Sequence, residues 1–425
     1  MKRVPPSKVT KVRIEDLLAN GVSEESPLSE LVRLSVEHIV EEALEAKVEE
    51  LLGRGYYERG AEGGYRNGYR RRRLKTSEGA VEYAVPQVRD VDGAGQLRAF
   101  REQLGGRSEE LERLAVEMYA RGCSTRDIEA IFGPGMLSRS SVSELTEQLW
   151  AEYEAFATRD LSEIRPLYLF VDGLYERLRP GAKREAILCA WCLTWEGKKV
   201  LVGLAPGLKE STEDCRDFLQ DLQRRGLSEP VLVATDGAAG LIAAVETCWP
   251  AALRQRCLAH KMRNLLAKVP EEIRAEFRTA AKAAYEAPSP QLAQVLREDL
   301  VARYGKQYPS AVRCFEEDFE ACIAHLHCPP GHRKIIRTTN LLERLFGEER
   351  RRMKAVGSFF GERPVLKLMY AVLIRATETW RGVNVTEFEA RQLRELRSQR
   401  EQKRKDETRK DLGSAPERVY SKIRT

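Results

Sequence analysis

The chain has 425 residues, of which 42% are hydrophobic and 32% charged, and its net charge is +6. This length predicts two to four domains of roughly 100–200 residues each, and no segment approaches the ~20 apolar residues of a membrane helix or resembles a signal peptide. We therefore expect a cytoplasmic protein without membrane association, whose nine cysteines are reduced thiols rather than a disulfide framework.

Residues 1–100 are predicted to contain a polar arm, a helix that packs or dimerises, and a hairpin. Apolar residues at three- and four-residue spacing predict the helix over 28–55, and the hairpin should turn near Ser77-Glu78-Gly79. The first hairpin strand carries cations that can bind a DNA backbone, namely Arg70, Arg71, Arg72, Arg73 and Lys75. A solvated edge strand kept soluble by its charge explains the same run.

Residues 101–160 are predicted to form three helices. The later two begin with Ser or Thr caps, and a tight turn at Gly122 joins the first two. This is the outline of a helix-turn-helix whose last helix presents Arg139 and Ser140 to a DNA groove. An ordinary three-helix packing unit fits the same pattern.

Residues 161–250 have the composition of an α/β domain. Four apolar segments predict strands, which are PLYLFVDG, EAILCAWCLTW, KKVLVGLAPG and PVLVATDG. Helices fit 212–226, before the last strand, and 238–249, after it. Three strands, a helix, a strand and a helix is the order of a ribonuclease-H-like core with a mixed sheet.

The rest of the chain is predicted to be almost wholly helical. Residues 251–335 form one helical segment, and residues 336–390 add two further helices. The tail over 391–425 is highly charged and low in apolar content, which predicts a frayed helix or disorder.

Two Asp-Gly pairs end predicted strands. Asp172 closes the first strand and Asp236 the fourth, and polar chemistry in open α/β sheets gathers at strand ends. Either one alone is explained by an ordinary turn, and Asp236 also by a helix cap. Their occurrence on two strands that the fold would place side by side favours a functional pair.

Glu343 is the third candidate carboxylate. A capping box with Asn340 explains it structurally, whereas the many cations around it suit a metal ligand lying against DNA phosphates. Three carboxylates match Mg²⁺ or Mn²⁺, which prefer oxygen ligands and keep water and phosphate oxygens in their shell. Two ions about 4 Å apart then serve in-line phosphodiester displacement.

Cysteines and histidines form two groups in the helical segment. Cys257 and His260 lie three positions apart and share a helix face, from which the histidine can contact a phosphate or a flipped base. The second group has spacing that fits no standard zinc finger, so we interpret it as core or surface residues rather than a zinc site. Its members are Cys322, His325, His327, Cys328 and His332.

Taken together, several ordered motifs resemble the Mutator-type transposases of bacterial insertion sequences. They are MYARGCSTRDIE, YLFVDGLYERLR, VATDGAAGL, QRCLAHKMRN and RTTNLLERLFGEERRRMKAVGSF, and the resemblance runs from about residue 40 to 390. It departs from the family where Phe346-Gly347 stands in place of the usual Asn after the glutamate. A glycine inside a helix costs roughly 1 kcal/mol relative to alanine.

The resemblance implies a catalytic DDE triad at Asp172, Asp236 and Glu343 that holds two Mg²⁺ or Mn²⁺ ions. It implies a ribonuclease-H-like domain split into 161–250 and 336–390 by an all-helical insertion over 251–335, behind a helical N-terminal DNA-binding region. The 107 positions between Asp236 and Glu343 agree, because a plain loop of that length is rare in compact folds.

The expected function is cleavage and strand transfer at the ends of an insertion sequence by a nucleoid-associated homodimer. The expected partners are double-stranded DNA with terminal inverted repeats and target DNA. Besides the hairpin and helix-turn-helix residues, the predicted DNA contacts are Cys257, His260, Lys261, Arg263, Asn264, Arg344, Arg350, Arg351, Arg352 and Lys354. A nuclease or resolvase of the same fold, a non-catalytic DNA-binding regulator and, more weakly, a phosphatase using Asp172 are the alternatives.

Overall fold

The chain divides into two compact units, Met1–Gln148 and Leu149–Thr425. The structure, a computed structural model, describes residues 4–20, 27–58, 64–91, 94–104, 106–176, 185–207, 212–340, 346–347, 350–352, 362–378 and 380–413. None of the helices in these ranges combines the length and apolar composition needed to span a bilayer. All nine cysteines are described and form no disulfide, as predicted.

The first unit opens with helices packed on a two-stranded hairpin. The bounds are Pro6–Asn20 for α1, Pro27–Leu52 for α2, Tyr65–Thr76 for β1, Gly79–Arg89 for β2 and Ala94–Gln103 for α3. One face of α2 buries Leu44 and Val48 in a cluster with Tyr83 and Val85 of β2. The predicted helix and the predicted antiparallel hairpin are both confirmed.

The segment predicted to be a polar arm is instead the helix α1. The Oγ1 atom of Thr10 donates to Glu41 at 2.8 Å, and the Oγ atom of Ser7 donates to Glu45 at 2.5 Å. Glu41 also accepts a hydrogen bond from the backbone nitrogen of Ala84 at 2.9 Å. Because α1 docks through hydrogen bonds, its sequence lacks the apolar periodicity that would have revealed it.

Three short helices complete most of the first unit. They are α4 (Glu109–Ala120), α5 (Thr125–Phe132) and α6 (Arg139–Leu145). The side chains of Ser124 and Ser138 cap α5 and α6, as predicted, and Gly122 has a φ of 98° in the turn between α4 and α5. The prediction of one long third helix is wrong, because the Oγ1 atom of Thr146 bonds back to the Ser143 oxygen where α6 ends, and α7 follows over Glu147–Thr158.

A five-stranded mixed sheet organises the second unit. Its strands are β3 (Pro166–Glu176), β4 (Glu185–Thr194), β5 (Lys199–Gly207), β6 (Leu232–Thr235) and β7 (Leu253–Arg256). Their spatial order is β5-β4-β3-β6-β7. The strands β3, β6 and β7 are parallel, whereas β4 is antiparallel to both of its neighbours. The four strands predicted from apolar runs are all present.

The two faces of this sheet are covered by different groups. The helices α8 (Thr212–Arg224) and α9 (Ala239–Cys248) share a core with Val171 and Val233. The alternate residues of β3 and β4 lie on the other face of the sheet. There the rings of Phe170 and Trp191 stack with their centroids 4.0 Å apart. Both faces are therefore buried, which explains the nearly continuous apolar runs in the sequence.

The edge strand β7 was missed in the sequence, where residues from 251 on were predicted to be helical. Its residues Arg254, Gln255 and Arg256 are polar, so no apolar run marks the strand. The guanidinium of Arg254 pairs with Asp318, and the amide of Gln255 donates to the Cys322 oxygen at 3.0 Å. These long-range partners stabilise a strand that composition does not indicate.

The helices predicted beyond this strand are present and have a core of their own. They are α10 (Leu258–Leu266), α11 (Glu271–Tyr285), α12 (Pro290–Tyr304), α13 (Pro309–Glu316), α14 (Phe319–Ile323), a 3₁₀ turn (Ala324–His327) and α15 (Pro330–Ile336). Phe277, Tyr285, Leu300 and Phe315 lie at the centre of this core.

Two helices end the described part of the chain. They are α16 (Glu362–Glu378) and α17 (Glu387–Gly413). The tail predicted from residue 391 to be a frayed helix or disordered is helical as far as residue 413, where α17 buries Leu393, so the disordered alternative is wrong for these residues. The helix predicted over 338–354 lies largely outside the described residues, although 350–352 are helical.

Candidate active site

Three polar residues lie in one row where the parallel pairing of β3, β6 and β7 ends, although β3 itself does not end at Asp172 as predicted but continues beside β4 to Glu176. Val171 pairs with Thr235, and Thr235 pairs with Arg256, across β3, β6 and β7. The next residues along these strands are Asp172, Asp236 and Cys257. The two predicted aspartates therefore follow paired residues on neighbouring strands, as the sequence pattern required.

The two aspartates are held by local turns in a poorly solvated setting. Asp172 is 4% exposed and its Oδ1 atom accepts from the Gly173 nitrogen at 2.9 Å. The Oδ1 atom of Asp236 accepts from the nitrogen of Ala238, also at 2.9 Å. Burial, followed by the charge of Asp236, raises the pKa of Asp172 to about 7, although His260 acts in the opposite direction.

Gly237 is required by the geometry of the second Asp-Gly pair. Its φ is +88°, in the region that favours glycine. A Cβ atom at this position would lie 2.6 Å from the Nε atom of Arg256 on β7. The close approach of β7 therefore explains the glycine, while Asp236 remains available for chemistry.

Cys257 connects the strand row to the segment that leads to Glu343. Its nitrogen donates to the Thr235 oxygen at 2.7 Å. Its Sγ atom accepts from the nitrogen of Thr339 at 3.3 Å and from the Thr339 Oγ1 atom at 3.4 Å. Burial raises the pKa of Cys257, but hydrogen bonds to His260 and Thr339 outweigh it and lower that pKa overall.

Thr339 is a site residue that sequence reasoning missed. It is fully buried, its Oγ1 atom donates to the Sγ atom of Cys257, and its side chain lies close enough to Asp172 to lower the pKa of that carboxyl. The neighbouring backbone is anchored as well, because the Leu258 nitrogen donates to the Arg337 oxygen at 2.9 Å. The only sequence signal was its position within the motif RTTNLLERL, four residues before Glu343.

The third predicted carboxylate, Glu343, lies outside the described residues, as do the predicted DNA contacts Arg344 and Lys354. Arg350 and Arg351 are exposed, and Arg352 is half-buried.

The predicted DNA contacts in and just before α10 separate into exposed and buried residues. Arg263 and Asn264 are exposed and His260 is half-buried, so they are accessible from solvent. Cys257 and Lys261 are fully buried, and the Nζ atom of Lys261 donates to the backbone oxygen of Glu317. Burial argues against direct DNA contact by these two residues, which have internal partners instead.

The predicted DNA contacts of the first unit lie on its surface. Arg70 and Arg72 are exposed on the hairpin. Arg71 and Arg73 are exposed as well and flank Glu82 at 3.5 and 2.7 Å. Lys75 is half-buried and Ser140 is exposed, while Arg139 is exposed and pairs with Glu129 at 2.8 Å.

The second Cys and His group does not form a metal site. In the described ranges, no three His, Cys, Asp or Glu side chains are arranged to hold an ion. His325 is buried beside the Oε1 atom of Gln255, and the Nδ1 atom of His332 lies 2.8 Å from the hydroxyl of Tyr168. The interpretation as core residues is confirmed for these two histidines, and Cys322 and Cys328 are buried too.

Known proteins match the chain along most of its length. The family model described as "Transposase, Mutator family" matches residues 9–382. The chain is 33% identical over 391 residues to the transposase for insertion sequence element ISRM5 of Rhizobium meliloti, covering 89% of this chain and 94% of that protein.

Two further relatives are also transposases of insertion sequences. The transposase for IS1081 of Mycobacterium tuberculosis is 30% identical over 383 residues, covering 86% of this chain and 89% of its own length. The transposase for IS256 in transposon Tn4001 of Staphylococcus aureus is 31% identical over 323 residues, covering 74% and 82%. The resemblance inferred from the motifs is confirmed.

Proposed function

The chain belongs to the Mutator family of transposases, and from this premise we propose that it cleaves DNA at the ends of an insertion sequence and joins the freed ends to target DNA. The observation that carries this chemistry is the pairing of Val171 with Thr235, because Asp172 and Asp236 follow these residues on neighbouring parallel strands. Two carboxylates at neighbouring positions on adjacent strands are suited to metal-dependent phosphoryl transfer.

We infer a ribonuclease-H-like catalytic domain. Three antiparallel strands, β5, β4 and β3, continue into the parallel strands β6 and β7. Strand β3 lies at the centre of the sheet, and Asp172 follows the last β3 residue that pairs with β6. The helices α10 to α15, with their own core, are then the insertion between the second aspartate and Glu343.

The donor set fits a hard divalent ion such as Mg²⁺ or Mn²⁺. Asp172, Asp236 and Glu343 would supply oxygen ligands only, which these ions prefer. Burial, and then the charge of Asp236, raise the pKa of Asp172. A bound cation would offset both effects and stabilise the ionised pair. When bound, two ions supply Lewis-acid activation of the attacking hydroxyl and of the leaving oxygen.

The chain's own residues then orient this chemistry. Thr339 lies close enough to Asp172 to lower the pKa of that carboxyl and is assigned the role of positioning it, while Cys257 fixes Thr339 through two hydrogen bonds. His260 is half-buried and lowers the pKa of Asp172, and we propose that its imidazole contacts the scissile phosphate. No covalent protein intermediate is needed, because water and the 3′ hydroxyl are the nucleophiles.

We propose that the first unit recognises the inverted repeats. Exposed arginines of the hairpin contact phosphates, and α4 to α6 act as a helix-turn-helix with Ser140 on the exposed side of α6. We also propose a homodimer formed through α2, supported by three exposed apolar side chains. Leu28, Val32 and Ile39 are 68%, 36% and 62% exposed and recur at spacings of four and seven, on one helix face.

The test uses the full chain and duplexes with the inverted repeats expected to border its reading frame. With Mg²⁺ we expect strand cleavage and strand-transfer products. Asp172→Ala, Asp236→Ala and Glu343→Ala should each abolish both products while leaving duplex binding intact. Activity retained by one variant would remove that residue from the triad.

The same assay separates the alternatives. Cleavage without strand transfer would indicate a nuclease or resolvase. Tight, metal-independent binding to the ends with no cleavage under any divalent ion would indicate a DNA-binding regulator and would overturn the proposed chemistry.

A further inference from the structure

A basic groove lies between α17 and the edge of the sheet in the second unit. It is a cavity of about 560 Å³. Leu253 and Arg254 of β7 line one side together with Glu320, while Arg400 and Lys403 of α17 line the other. Leu253 is the first residue of β7 and Arg256 the last, so the groove begins about 10 Å along the strand from the catalytic end, at ~3.3 Å per residue.

The basic residues of α17 follow one ridge at three-residue spacing, from Arg391 to Lys403. The first three of them have carboxylate partners on the same helix: Arg391 pairs with Glu395 at 3.5 Å, Arg394 with Glu387 at 3.0 Å and Arg397 with Glu401 at 2.9 Å. Among the residues that the structure describes, Arg400 and Lys403 have no acidic side chain within 4 Å. The two uncompensated cations of the ridge are those that line the groove.

The lining of the groove also includes the charged side chains of Arg254 and Glu320. Arg254 pairs with Asp318, and its Nε atom lies 3.4 Å from Glu246. The carboxylate of Glu320 accepts a hydrogen bond from the Gln294 amide at 2.6 Å. Because the Gln294 amide is neutral, Glu320 keeps its negative charge, but Arg400 and Lys403 outnumber it and leave the groove with a net positive charge that favours an anionic ligand.

The position of Arg400 is fixed by the fold. It is half-buried, and its Nε atom donates to the Ala251 oxygen at 3.4 Å, in the turn before β7. Lys403 lies about one turn further along α17 and is exposed. A guanidinium held in place and a mobile ammonium one turn away can contact successive phosphates of one strand.

We propose that this groove binds the sugar-phosphate backbone of the DNA on which the chain acts. It is a second contact in the catalytic unit, distinct from the carboxylates and from the hairpin and helix-turn-helix of the first unit. The inference rests on the proposed function for the identity of the polyanion. DNA that leaves the carboxylates along β7 would reach the groove within a few phosphates.

The experiment measures DNA binding by the full chain against salt concentration. Each lost phosphate contact lowers the slope of log K against log salt by about 0.9, so Arg400→Ala/Lys403→Ala should lower it by about 1.8 and weaken binding roughly 30-fold near 0.15 M salt. The probe is a fluorescent duplex carrying the inverted repeat. Arg391→Ala/Arg394→Ala is the matched control, because it removes the same charge from the same ridge and should leave the slope close to wild type.

Other outcomes decide against the groove. An unchanged slope in the double variant, or an equal decrease in the control, overturns the proposal. Loss of dimer in sedimentation with unchanged DNA binding identifies an acidic protein surface as the ligand and also overturns it. Lys403→Ala alone changes an exposed side chain, so it tests the same contact with an expected slope decrease of about 0.9 if the double variant does not fold.

Strand cleavage is scored separately. A wild-type chain that binds the duplex but never cuts it contradicts the proposed function. In that case the slope of log K against log salt still tests whether the groove binds phosphates. A wild-type chain that cuts normally, with no slope change in the double variant, contradicts the groove alone.

Discussion

The Oγ1 atom of Thr339 lies 3.4 Å from the Sγ atom of Cys257, across 82 positions of sequence. The same threonine side chain lies close enough to Asp172 to lower the pKa of that carboxyl. Thr339 therefore connects the segment that leads to Glu343 with the residue after β7 and lies close to Asp172 on β3. Such a group acts on catalysis by orienting a carboxylate rather than by touching substrate.

Replacing Thr339 with valine should reduce metal-dependent cleavage by about 10- to 100-fold, as is typical when the partner of a metal ligand is lost. The hydroxyl is lost while the side-chain volume is kept, so we expect a higher Mg²⁺ concentration for half-maximal cleavage. Thr339→Ser retains the hydroxyl and should recover most of the activity. Equal Mg²⁺ requirements in both variants and wild type would refute this positioning role.

Replacing Gly237 with alanine should destabilise the second unit. The left-handed backbone alone costs on the order of 1–3 kcal/mol for a residue other than glycine, and the new Cβ would also displace Arg256. Gly135→Ala is a suitable control, because Gly135 has a similar φ of +80° and no atom within 4 Å of the added Cβ. Calorimetry should show a clearly larger loss of Tm for Gly237→Ala, and comparable losses would contradict the clash.

Replacing Asp172 with asparagine should stabilise the metal-free chain while abolishing cleavage. Burial and Asp236 raise the pKa of Asp172 to about 7, so the folded state binds this proton more tightly than the unfolded state. Its contribution to stability therefore decreases as pH rises from about 4 to about 7. Near pH 8 the gain for Asp172→Asn should be on the order of 2–4 kcal/mol.

Metal binding provides the control for this prediction. Mg²⁺ should raise the Tm of the wild-type chain near pH 8 and raise that of Asp172→Asn much less, because a ligand stabilises only the state that binds it. The prediction fails if Mg²⁺ shifts both proteins equally, or if the variant is less stable than wild type without metal.

Acidification should destabilise the second unit through His325. Burial, with smaller contributions from Arg337 and Arg333, lowers the pKa of His325 to about 4. The folded state therefore favours the neutral imidazole, and this stability is complete above about pH 6.5 and is lost as pH falls towards 4, at up to about 1.4 kcal/mol per pH unit.

The variant that tests this is His325→Asn, which cannot titrate in this range. Urea denaturation near pH 7 and near pH 5 should show a smaller difference in unfolding free energy for the variant than for wild type. An identical pH dependence would assign the effect to other groups, since the pKa values of His327 and His332 are also lowered by burial.

The amino-acid sequence alone determined the elements that bury apolar side chains. Both faces of the sheet are covered, so apolar residues predominate in β3, β4, β5 and β6. An apolar run in the sequence therefore indicates a buried strand directly. Asp172 and Asp236 were predicted for the same reason, since each ends an apolar run. Family motifs added Cys257 and His260 to the candidate site, and Glu343 stays a prediction because it lies outside the described residues.

Only the tertiary structure decided where polar residues find their partners. β7 and α1 have no apolar pattern, because Arg254 and Gln255 in the one and Thr10 in the other are satisfied by residues distant in sequence. Lys261 looked like a DNA contact and is buried against the Glu317 oxygen. Hydrogen bonds and ion pairs between distant segments leave no periodicity in a single sequence, so the contact of Thr339 with Cys257 and Asp172 became visible only in the folded chain.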